Sequence, residues 1–207
     1  MNFIAKVISF VFHPLLMVTY LFALFALYFP IGLDPLKIET QWSFVLIIFA
    51  FTFLLPALNI GLLKLLGTIR SITMQDRRER VLPFTFIAIL YVLITYLFYS
   101  RTGVSVNDNL FKFLLLGDAL VVMAAVVTLF YKVSIHSLAA WGFLGIIVPL
   151  NTLSEDGSLF YPSLVAIVIT GFIMSSRLLL HVHTTREVMV GSVLGLVTSL
   201  IGMSVLF

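Results

Sequence analysis

Apolar residues run along this chain in long blocks, and short polar stretches divide them. A membrane-crossing helix takes about 20 mostly apolar residues. Blocks of that kind are Phe3–Phe29, Trp42–Leu66, Pro83–Tyr99, Leu110–Tyr131, Leu138–Thr152, Phe160–Leu180 and Val188–Phe207. Backbone groups in hydrocarbon must find partners within their own segment, so each block predicts a helix. His13-Pro14 interrupts the first block and places its opening turns at the membrane interface, with the rest spanning. The fifth block is short and starts inside Ser134–Ser137. The pattern predicts an all-α integral membrane protein: a bundle of six or seven transmembrane helices, one domain over residues 1–207, without linker or repeat. The N-terminal block, with a lone Lys6 and no small-residue cleavage site, reads as a retained segment rather than a signal peptide.

Alternating sides along these blocks sorts the polar stretches. Thr68–Leu82, Lys132–Ser137 and His181–Glu187 fall on one face, while Asp34–Glu39, Arg101–Asn109 and Ser154–Ser158 fall on the other. Three separate polar clusters thus converge on one side, as a composite active site made of loops requires. Basic residues favour that face, with Lys6, Lys64, Arg70, Arg77, Arg78, Arg80, Lys132, Arg177 and Arg186 against Lys37, Arg101 and Lys112. That bias would place the clusters in the cytoplasm. Once the cations suited to binding phosphate are set aside it becomes weak, so the charges assign no side.

Composition agrees with the pattern. Hydrophobic residues make up 61% of the chain, charged residues 10%, and the mean hydropathy is +1.18. A soluble domain carries about 25% charged residues. The net charge of +3 is small and scattered, which argues against nucleic acid as a partner. The chain has no cysteine, so disulfides, thiolate metal sites and a cysteine nucleophile are excluded. Compact loops suit a protein of the bacterial inner membrane.

The most informative polar run is Ser176-Arg177-Leu-Leu-Leu-His181-Val-His183-Thr-Thr-Arg186-Glu187. Arg177 and Arg186 could serve only as headgroup anchors at helix ends, but that explains neither two histidines nor Glu187. The chemical reading gives Arg177 a planar donor fork for phosphate oxygens. His183 becomes a nucleophile that forms a phosphohistidine. Glu187, four residues on, accepts the other ring proton and fixes the tautomer. His181 is a rival nucleophile.

The second cluster, Lys132-Val133-Ser134-Ile135-His136-Ser137, lies at a predicted helix start. A histidine there can be a simple capping or headgroup contact. As a site, Ser134 and the helix N-terminus suit an anion, Lys132 adds charge, and His136 can protonate a leaving alkoxide as general acid. The first cluster, Asp76-Arg77-Arg78-Glu79-Arg80 before Pro83, reads either as a solvated turn ahead of a helix beginning at Pro83 or as a cation source. In the second case Arg77 and Arg80 neutralise phosphoryl charge, and the two acids hold them in place. Within the spans, Asp118 needs a partner such as Asn59, Asn151 or a hydroxyl. Asn59 follows Pro56 and suits the patching of a kinked helix. Gly191 and Gly195 form a GxxxG suited to close helix packing.

These residues resemble the third signature of the type 2 phosphatidic acid phosphatase superfamily: Ser176-Arg177, five residues, His183, three residues, Glu187-Val188, two residues, Gly191. Val133-Ser134-Ile135-His136 loosely resembles the family's second signature, Pro-Ser-Gly-His. An arginine-rich stretch before Pro83 stands where the first signature would be, without matching it. The resemblance covers about Arg70 to Gly195. It implies His183 as nucleophile, Glu187 as its partner, His136 as general acid, and Arg177 and Ser134 as phosphate ligands, with Arg77, Arg80 and Lys132 as further cations. It also implies catalysis without metal or other cofactor. Glu187 replaces the family's aspartate, and Ile135 replaces its glycine.

The leading expectation is therefore a membrane phosphatase acting on a lipid phosphate monoester or diphosphate. Its substrate would be of the type of phosphatidic acid, phosphatidylglycerophosphate, a polyprenyl diphosphate or a phosphorylated saccharolipid. The alternative is a catalytically inactive relative that binds or moves phospholipid head groups. A metal-dependent transferase ranks last, because such enzymes need clustered aspartates and Asp76 and Asp118 stand apart.

Overall fold

The structure, a computed structural model, describes residues 2–71, 74, 76–153 and 157–207. The expected Thr68–Leu82 and Ser154–Ser158 stretches fall partly outside these. The described residues form helices without a strand: α1 (Asn2–Val11), α2 (Pro14–Tyr28), α3 (Ile38–Phe49), a π-turn (Ala50–Leu54), α4 (Leu55–Leu65), α5 (Arg77–Arg101), α6 (Asn109–Phe130), α7 (Ile135–Leu153), α8 (Phe160–Leu179) and α9 (Thr185–Leu206). Helix α3, the π-turn and α4 run on as a single rod, Ile38–Leu65. Among the described residues six helices are long and apolar enough to cross a membrane, or seven if α1 and α2 count as one span. This is an integral membrane protein.

The first block is bent, as His13-Pro14 predicts. Helices α1 and α2 meet at 59°. Proline cannot donate the backbone bond that would continue α1, and it suits the first turn of α2. The His13 ring caps that turn, accepting from Leu15 N–H at 3.3 Å. Ten residues of helix reach only about 15 Å, so α1 cannot span alone. Phe3, Ile4, Val7 and Phe10 point outward while Ala5 is buried, giving α1 one face for lipid and one for protein.

Two boundaries differ from the pattern. Helix α5 begins at Arg77 rather than Pro83, because Asp76 caps it by accepting from Arg78 N–H at 3.0 Å. Glu79 then lies in the first turn, where the helix dipole favours an acid. Helix α9 begins at Thr185 rather than Val188. There Thr184 and Glu187 form a capping box, the hydroxyl accepting from Glu187 N–H and the carboxylate from Thr184 N–H. In both places polar residues that hydropathy assigns to loops are the first turn of a helix.

A central apolar core includes Phe22, Phe25, Phe44 and Phe113, packed edge-on or tilted with ring centroids 4.5–6.2 Å apart. Helices α7 and α9 make the most intimate pair. Asp118 on α6 finds its partner in the Thr95 hydroxyl. The amide oxygen of Asn59 has no hydrogen-bond partner, and a π-turn rather than Asn59 accompanies Pro56 in this rod.

Candidate active site

The α8–α9 turn sets the centre. Helix α8 ends at Leu179, His181 takes a left-handed backbone (φ +52°), and the chain reverses into α9. Because Glu187 occupies the third position of α9, its carboxylate turns back over the helix start. His183 Nδ1 lies 2.7 Å from Glu187 Oε2. A carboxylate can only accept there, so Nδ1 carries the proton and Nε2 keeps its lone pair. His183 is only 8% exposed. His181 is exposed, and no carboxylate pairs with it among the described residues.

Glu187 ties this turn to the second cluster. Its backbone carbonyl accepts from Ser134 N–H at 3.1 Å, and Lys132 Nζ is 3.9 Å from its carboxylate. Close approach of the two helices makes this possible. A Cβ on Gly191 would stand 2.5 Å from the Ser134 carbonyl oxygen, and one on Gly195 would collide with the Leu138 carbonyl. The expected GxxxG is thus the contact that seats α9 on the start of α7.

From α5, Arg80 reaches the same place. It is 7% exposed, donates from Nε to the Met74 carbonyl at 2.7 Å, and from Nη1 to the Val133 carbonyl at 3.3 Å. Arg177 on α8 approaches from the other side, and its buried Nε has no hydrogen-bond partner. The charges of Arg177 and Arg80 both bear on His183. Burial, the largest effect, lowers the His183 pKa to about 4, and the two arginines add to that while the bond to Glu187 opposes it.

Other predicted residues take different roles. Arg77 is not brought to His183; its Nη1 donates to the Leu129 carbonyl at the end of α6. As the first residue of α5 it lies one turn outside Arg80, beside the open carbonyls of a helix C-terminus. Neither Asp76 nor Glu79 ion-pairs with Arg77 or Arg80; Asp76 caps α5 and Glu79 accepts from Arg70 N–H at 3.3 Å. Ser134 is fully buried, and its hydroxyl accepts from Ser137 N–H and Oγ–H, capping α7. His136 gives its Nε2 to the carbonyl of Ser9 at 3.0 Å. Since a carbonyl only accepts, Nε2 is protonated.

Two residues of this site escaped the sequence reading. Ser9 on α1 receives Arg177 Nη1 at 3.1 Å and lies 3.1 Å from Ser176 Oγ. The His13 ring stands edge-on to His136, centroids 5.6 Å apart. His13-Pro14 was the available signal, but it reads as a helix break, and nothing local says which cluster the break faces.

Among the described residues no group of three or more His, Asp or Glu side chains could hold a metal ion. The arrangement offers an imidazole nitrogen with a free lone pair, an imidazole whose Nε2 carries a proton, and two guanidinium groups. No family model, no curated protein and no solved structure matches this chain.

Proposed function

We propose that the protein is a membrane phosphatase that hydrolyses a lipid phosphate monoester or diphosphate through a phosphohistidine on His183. The observation that carries this reading is the 2.7 Å bond from His183 Nδ1 to Glu187 Oε2, which leaves Nε2 unprotonated beside two arginines. The likeness of Ser176-Arg177…His183…Glu187 to the type 2 phosphatidic acid phosphatase signature supports the same chemistry.

In the first step Nε2 attacks phosphorus, an N–P bond forms, and the bond from phosphorus to the leaving oxygen breaks. His136, carrying a proton on both ring nitrogens once the phosphate dianion lies beside it, supplies that oxygen with a proton and is left neutral. In the second step water attacks phosphorus and gives a proton back to His136. The N–P bond breaks, and inorganic phosphate leaves with His183 restored. Arg177, with an unpaired Nε, and Arg80 hold the phosphoryl oxygens, and Glu187 stabilises the charge that develops on the imidazole.

The test is phosphate release in detergent from phosphatidic acid, phosphatidylglycerophosphate and undecaprenyl diphosphate, with and without EDTA, alongside His183→Ala. Release that survives EDTA and disappears in the variant is expected. A second reading, an inactive relative that binds phospholipid head groups, draws on the engagement of the His136 proton by Ser9. It predicts lipid binding without turnover, kept by His183→Gln.

The His183 environment also gives a pH prediction. Its pKa falls from 6.5 in the unfolded chain to about 4 in the folded protein. Between those values the unfolded chain binds the extra proton, so stability present above pH 6.5 is withdrawn as pH falls toward 4. The effect is at most about 3 kcal/mol, at 1.36 kcal/mol per pKa unit. The thermal midpoint of the wild type in detergent should fall more steeply across that window than that of His183→Gln. Parallel curves would contradict the buried neutral imidazole.

A further inference from the structure

We infer that α1 is a lid on this site, latched by Ser9, and that a phosphate-bearing amphiphile in the bilayer must displace it; this rests on the phosphate-site reading of Arg177 and His136. Both groups are engaged by one residue. Ser176 Oγ–H donates to the Ile173 carbonyl at 2.7 Å, so the 3.1 Å contact between the two serine hydroxyls carries the Ser9 proton. A lone pair of Ser9 Oγ is thereby left to receive Arg177 Nη1. The Ser9 carbonyl, one of the open carbonyls in the last turn of α1, takes the Nε2 proton of His136. An acceptor for the arginine and an acceptor for the general acid's proton are what a phosphate ester would bring. Ser9 supplies both from the protein.

The mechanics of α1 fit a moving part. It is ten residues long, joined to α2 through a 59° break, and packed mainly against α8. The Tyr20 hydroxyl of α2 holds the end of α1 through the Val11 carbonyl at 2.7 Å, which would keep that end in place while the rest of α1 turns about the His13 break. Its outer face presents Phe3 and Phe10, 78% and 75% exposed, toward where lipid lies. What displaces α1 therefore comes from the bilayer side, and a free phosphate ion has no purchase on that face.

The absence of cysteine makes the latch directly testable. Ser9→Cys with Ser176→Cys puts two thiols where hydroxyls 3.1 Å apart now stand, a spacing a disulfide can close with a small adjustment. Oxidation in detergent should join residues 9 and 176, read from the linked peptides. Phosphatidic acid micelles should slow the reaction several-fold, whereas phosphatidylcholine or inorganic phosphate should not. The oxidised protein should release no phosphate, and reduction should restore release.

Equal cross-linking rates with every additive, no cross-link in lipid-free protein, or an oxidised form as active as the reduced one would each overturn the lid. Slowing by inorganic phosphate as well would overturn the requirement for an amphiphile. If the wild type hydrolyses no lipid, the phosphatase reading fails while protection from cross-linking still judges the lid. The single variant Ser9→Ala adds a second arm. Loss of the Ser9 hydroxyl, with its bonds to Arg177 and Ser176, should raise kcat/KM roughly three- to tenfold, whereas a fall would make Ser9 a substrate ligand and sink the latch.

Discussion

His183→Ala should remove phosphate release by roughly three orders of magnitude or more, the scale at which loss of a nucleophile shows in other covalent hydrolases. Among the described residues, neither His181 nor His136 is set up as His183 is. His181 is exposed and lacks a paired carboxylate among the described residues, and the Nε2 proton of His136 is held by Ser9. A mere positioning role for His183 would leave a slow water attack within the arginines' field, and then the loss would be modest. Acid-quenched and alkali-quenched reactions separate the two cases, because a phosphohistidine survives alkali and not acid. Wild-type protein should carry an alkali-stable phosphoryl label on His183, and the alanine variant none. Release retained within tenfold, with no label in either protein, would sink the covalent mechanism. A label that moves to His181 would keep the mechanism and change its nucleophile.

The same residues show how much a linear reading can reach. The spans were legible because hydrocarbon imposes a length and an apolar composition on every crossing segment. The structure makes the His183–Glu187 bond outside the helix: His183 precedes the Thr184 cap, and Glu187 in the third position of α9 reaches back to it. The pair was still legible from its four-residue spacing. Roles that depend on long-range contacts were not. Arg77 and Arg80 look equivalent in sequence, yet one meets the end of α6 and the other the loop before α7. Ser134 reads as a ligand and is buried as a cap, since both uses draw on the same hydroxyl at a helix start. Ser9 had no signal at all. Its place beside Arg177 comes from the bend at His13 and the packing of α1 on α8, across 168 positions of sequence.

Gly195→Ala should unseat the site without touching any group in it. A single methyl there would collide with the Leu138 carbonyl, and at Gly191, one turn nearer the site, it would stand 2.5 Å from the Ser134 carbonyl. Both obstacles are backbone atoms, so no side-chain rotation relieves them, and α7 and α9 must separate as bodies. Overpacking of this kind costs roughly 1–3 kcal/mol or more. The thermal midpoint in detergent should fall by several degrees. Activity should fall further than stability, because Ser134 N–H to the Glu187 carbonyl and Lys132 to the Glu187 carboxylate both cross that interface. Gly171→Ala on α8 supplies the control: nothing lies within 4 Å of its added methyl. There the substitution should be neutral or raise the midpoint, since alanine favours helix by up to about 1 kcal/mol over glycine. If Gly195→Ala melts and turns over like Gly171→Ala, the α7–α9 contact does not set the spacing between His183 and the second cluster. If instead the midpoint falls and His183 can no longer be labelled, the distance between two helix backbones, held by one missing methyl, is what assembles the site.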